Sequence, residues 1–122
     1  MGNYTVAFKL KDGSIKTADI GYKVKEILDT CYQDIVCIMI NVPKVQSMEF
    51  CNLPELSEVI IESNTFIESY AFLKCPKLEQ VTMKDGCKVT IHSSAFLECD
   101  ELKYIIGCPM NIKVGNFYQV YN

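Results

Sequence analysis

The sequence predicts a mostly β protein with one short helix, built as a small solenoid with an N-terminal β-hairpin and helix as its cap. Three observations carry this. Residues 71–81, Ala-Phe-Leu-Lys-Cys-Pro-Lys-Leu-Glu-Gln-Val, return at 95–105 as Ala-Phe-Leu-Glu-Cys-Asp-Glu-Leu-Lys-Tyr-Ile, with the spacing Ala-Phe-x-x-Cys-x-x-Leu-x-x-Val/Ile unchanged. A strand frame, Leu/Ile-x-x-Val/Ile-x-Ile/Met, recurs from Ile35, Leu56 and Leu78, and from Leu102 with Gly107 at the last site, at steps of 21, 22 and 24 residues. A period in the twenties marks units too small to bury their own apolar face, which must stack on their neighbours. Ahead of the first unit, Tyr4, Val6, Phe8 and Leu10 alternate with Thr5, Ala7 and Lys9, the period of a strand.

The elements follow in order. Asp12-Gly13 turns the first strand into a second over residues 15–20, and Gly21 ends the hairpin. Val24, Ile27, Leu28 and Cys31 share one face of a helix over about residues 23–33. The four repeat strands come next. Phe50, Phe72 and Phe96 stand before three of them as aromatic anchors, and shorter extended pieces lie between them at 66–67, 89–91 and 112–114. Residues 117–122 form a closing edge. The organisation is one domain over residues 1–122, with 1–34 as cap and 35–122 as solenoid. An end coil exposes an apolar cross-section, so Val24, Ile27 and Leu28 are expected to cover the Ile35 coil. Phe117, Tyr118, Val120 and Tyr121 would cover the last, and an uncovered strand edge there would favour a homo-oligomer.

Composition narrows the partners. The net charge is −3, and all twelve basic residues are Lys. Arg is the usual residue for bidentate phosphate and guanine contacts, so its absence with an acidic balance argues against nucleic acid. The apolar run at 35–42 is a strand long, too short to span a bilayer. No signal-peptide pattern occurs near the N-terminus. With seven cysteines, an odd number, the expectation is a cytoplasmic, reducing setting with thiols packed as small apolar groups.

No catalytic set emerges. Cys75 and Cys99 share a repeat position, where neighbouring coils would bring two thiols within metal-sharing range, but Leu53 fills that position one unit earlier, which points to packing. His92, the only His, follows inward Ile91 and so faces out, with Glu68 as its counterpart. A carboxylate pair such as Glu55 and Glu58 reads as solvated edge charge. No cofactor or metal is expected.

The residues quoted carry a resemblance. Residues 35–114 resemble the BspA-type leucine-rich repeat, whose units run roughly I-x-x-x-A-F-x-x-C-x-x-L-x-x-V-x-I. The units with Phe72 and Phe96 match well. Residues 50–61 match with Glu49 in place of Ala and Leu53 in place of Cys, the Ile35 unit matches in its strand, and the C-terminal unit lacks its Leu-x-x-Val half. Residues 1–34 fall outside the resemblance. It implies a leucine-rich-repeat solenoid and binding to other proteins or host surfaces, often in long, surface-attached chains.

With the repeat strands in register, one outward column reads Met39, Ile60, Thr82 and Ile106. Flanking columns read Cys37, Glu58, Gln80 and Tyr104 on one side and Asn41, Glu62 and Lys84 on the other. Outward sites on half-buried strands are ordinarily polar. Two Ile, a Met and a Tyr with a charged rim therefore suggest a protein-binding face, with Ile60, Ile106 and Tyr104 as hot spots. Two bland readings compete: the N-terminal segment folds over this face, or the column reflects β-propensity alone. The expected function is a non-catalytic protein-interaction module. The alternatives are a small phage or mobile-element inhibitor that occludes a host protein, and an adhesin-like surface fragment.

Overall fold

The computed structural model describes residues 4–19 and 21–107 and the backbone of Gln119–Tyr121. Strands β1 (Thr5–Leu10) and β2 (Ile15–Ala18) precede helix α1 (Gly21–Cys31). Strands β3 (Ile35–Asn41), β4 (Lys44–Val45), β5 (Glu58–Ile61), β6 (Thr65–Ile67), β7 (Gln80–Met83), β8 (Val89–Ile91), β9 (Tyr104–Ile106) and β10 (Gln119–Tyr121) follow. They form a seven-stranded sheet ordered β10-β9-β7-β5-β3-β1-β2 and a three-stranded sheet ordered β4-β6-β8. From β3 onward every pairing is parallel, so the chain winds in stacked coils, each giving one strand to the large sheet and the first three one to the small sheet. This is the predicted solenoid, mostly β with one short helix. The extended piece at 112–114 and the residues Phe117 and Tyr118 lie outside the described residues.

The strand frame read from the sequence is the core. Ile35, Ile38 and Ile40, then Leu56, Val59 and Ile61, then Leu78, Val81 and Met83, then Leu102 and Ile105 are all buried. Val45, Ile67, Val89 and Ile91 meet them from the small sheet. The anchors stack along the solenoid axis: Phe50 and Phe72 lie 5.4 Å apart between ring centroids, and Phe72 and Phe96 lie 5.1 Å apart at an interplanar angle of 17°. These distances suit stacked rings and match the spacing of paired strands, so the rings form one continuous column through the interior.

Backbone groups at the corners are satisfied from coil to coil. The amides of Phe50 and Asn52 donate to the carbonyls of Ala71 and Leu73, and those of Phe72 and Lys74 donate to Ala95 and Leu97. The sharp corner needs a left-handed residue at one repeat site, supplied by Asn52, Lys74 and Glu98 with φ of 57°, 58° and 59°. Thr65, the buried polar residue among those described, donates its hydroxyl to the Val42 carbonyl at 2.8 Å.

The N-terminal segment caps the stack by joining it. Strand β1 pairs antiparallel with β3, and β2 follows at the sheet edge. Val6, Phe8 and Leu10 are buried with the repeat core, and Phe8 meets Phe50 edge-on at 6.0 Å. The helix begins about two residues earlier than its apolar spacing implies. It buries Val24 and packs Ile27, Leu28 and Cys31 against the core. The Lys11 amide donates to the Asp34 carbonyl, which fastens the hairpin turn to the chain leaving the helix.

Candidate protein-binding face

Each repeat strand alternates buried and half-buried residues, so its second set faces away from the core. Pairing registers align Met39 with Ile60, Ile60 with Thr82 and Thr82 with Ile106. They likewise align Cys37 with Glu58, Glu58 with Gln80 and Gln80 with Tyr104. Glu62 and Lys84 leave the strands just beyond, their amides donating to the carbonyls of Ile40 and Ile61. The two strand columns read from the sequence, Met39-Ile60-Thr82-Ile106 and Cys37-Glu58-Gln80-Tyr104, are thus aligned in the anticipated order.

The first bland reading fails on topology. The hairpin lies in the plane of the sheet, so it widens the face and does not cover it. Ala7 pairs beside Met39, Lys9 beside Cys37 and Thr5 beside Asn41. Sequence reasoning missed these three. Their alternation with Val6 and Phe8 was visible, but the lateral pairing of β1 with β3 was not. At the other side the register sets Tyr121 beside Ile106.

The rim is polar and internally bonded. The Gln80 side-chain amide donates to Glu58 Oε2 at 3.3 Å and to Thr82 Oγ1 at 3.0 Å. Cys37 alternates outward yet is buried. Burial, then the charge of Glu58, pushes its thiol up to about 11, so it is a packed thiol and no nucleophile.

The repeat thiols serve the core. Cys75 Sγ donates to the Phe50 carbonyl at 3.2 Å, and Cys99 Sγ donates to the Phe72 carbonyl at 3.0 Å. Each ties its coil to the anchor of the preceding one, a bond that Leu53 cannot make. The neighbouring Cys99 thiol and burial hold the Cys75 thiol well above its usual range. His92 is exposed, and its Nδ1 accepts from the Ser94 amide at 3.1 Å. Among the described residues no three His, Cys, Asp or Glu side chains gather as metal ligands. No described helix is long and apolar enough to cross a membrane.

No curated protein and no solved structure matches the chain. A family model does: BspA type Leucine rich repeat region (6 copies), over residues 4–120. The match takes in the hairpin and helix, which the repeat motif alone had left outside. Leucine-rich repeats are generally non-enzymatic scaffolds that commonly mediate protein interactions. With stacked parallel coils, a ring column through Phe50, Phe72 and Phe96, a thiol at one repeat site in two successive coils, and a family match along nearly its whole length, the chain belongs to the BspA-type leucine-rich repeat family.

Proposed function

We propose that the chain is a non-catalytic protein-binding module whose contact surface is the outward face of the seven-stranded sheet. The observation that supports this best is the aligned, half-buried column Met39, Ile60, Thr82 and Ile106, which the hairpin does not cover because it extends the sheet laterally. Ile60, Ile106 and Tyr104 supply the binding energy, and Glu58, Glu62, Gln80 and Lys84 form the rim. Apolar centres with polar rims are the usual anatomy of such contacts, and few residues dominate them. Six free cysteines among the described residues support a reducing setting, with the cytoplasm as the expected location.

Affinity capture from the source organism tests the face. The bait is wild type beside the double variant Ile60→Asp, Ile106→Asp, with Thr82→Arg as a milder disruption. The expected outcome is a specific partner lost from both variants while their circular dichroism and thermal transitions stay near wild type. Capture of the same proteins by all three folded baits would place the site elsewhere.

A further inference from the structure

A hollow of about 300 Å³ lies between the helix and the first corner, away from the outward face, lined by Leu28, Asp29, Tyr32, Glu49, Cys51 and Asn52, among others. A second hollow of about 340 Å³ shares Leu28 and Glu49 and continues along the helix past Val24, with Lys25, Gln46 and Ser47 also in its wall. Two carboxylates and no basic side chain line the first. Small-molecule sites begin at about this volume, as apolar walls with a few placed polar groups.

Glu49 is the anomaly. It stands where the next two coils carry Ala71 and Ala95, both wholly buried. Its Oε1 accepts from the Gln46 amide at 2.9 Å. Glu55 and Glu68 each bond a Lys, whereas among the described residues Glu49 has no ion-pair partner. Burial pushes its carboxyl up against the pull of the Gln46 bond, and the nearby Glu68 charge adds to the rise. A half-buried carboxylate without a counter-charge is costly, and a bound cation offsets that cost. Asp29 adds a second negative charge, and Tyr32 lines the same hollow with an aromatic ring, a group that attracts organic cations.

We infer that this hollow binds a small alkylammonium ion, its charged head among Asp29, Tyr32 and Glu49 and its chain along Leu28 toward Val24.

The test is titration of ¹⁵N-labelled protein with n-butylammonium chloride, and in parallel with n-butanol as the uncharged counterpart. The ammonium ion is expected to give saturable amide shifts confined to residues around Leu28, Tyr32, Glu49 and Cys51, with n-butanol much weaker. Glu49→Gln should weaken binding roughly tenfold or more, the loss of one charge-assisted contact. Glu49→Ala restores the residue of the other coils and gives a second variant should Glu49→Gln disturb the corner. Shifts that stay linear with concentration, match those from n-butanol, or persist unchanged in both variants would overturn the proposal.

Discussion

Phe72 shows what a single residue contributes here. It lies between Phe50 and Phe96 and is wholly buried, so truncation leaves a cavity that flanking rings cannot fill. Phe72→Ala is expected to cost about 3–5 kcal/mol in denaturant titration. Gly107 is a different case. It follows Ile106, one residue beyond the end of the β7–β9 pairing, at a φ of 133°, and an added Cβ would lie 2.8 Å from the Met83 Cβ. Gly107→Ala should therefore destabilise by about 1–3 kcal/mol, from backbone strain and overpacking together. At Glu49 the sign reverses. If the carboxylate is kept for binding, Glu49→Ala should raise stability without ligand by about 0.5–2 kcal/mol, the range of other substitutions toward a repeat's consensus.

Among elements, the hairpin is held by charge as well as by pairing. Glu55, in the first repeat turn, bonds Lys11 of the hairpin and Lys77 of the next coil. The Lys11 and Lys77 ammonium groups, in that order, draw its carboxyl down from 4.5 to about 2. The folded chain thus binds this proton less tightly than the unfolded one, so protonation favours unfolding. The contribution is complete above about pH 4.5 and is lost as pH falls toward 2. Thermal transitions of wild type and Glu55→Gln should converge across that window, and identical acid profiles would show the bridge to be idle. The strand frame, the anchors and the helix were legible in the sequence because each repeats or alternates where a core must be filled. The lateral pairing of β1 was not, since alternation reveals which face a strand buries and says nothing of its neighbour. Cys37 was misleading for a related reason: its parity points outward, but it sits inside the sheet between Lys9 and Glu58 of the adjacent strands and is buried.

For the whole molecule, the large sheet runs unbroken from β2 to β10, and the ring stack runs unbroken from Phe8 to Phe96. We propose that residues 1–122 unfold as one unit. Circular dichroism, which reports the β coils, and the ¹⁵N amide signals of Val24, Ile27 and Leu28, which report the helix, should share one midpoint. Separate midpoints would make the hairpin and helix an independent cap. The outward face was readable as a list of residues because the registers follow the repeat. The hollow beside the helix was not, because it is formed where two unlike parts of the chain meet, and Glu49 appeared in the sequence only as a departure from the motif.

The thiols have a use beyond packing. They are graded from half-exposed Cys31, Cys51 and Cys87 to buried Cys37, Cys75 and Cys99. Pulse alkylation read by mass spectrometry would therefore time the breathing of this chain without any added label. Cys37 would clock the peeling of the hairpin from β3, and Cys75 and Cys99 the parting of coils. Partner-induced slowing at Cys37 alone would locate an encounter on the sheet to within one strand.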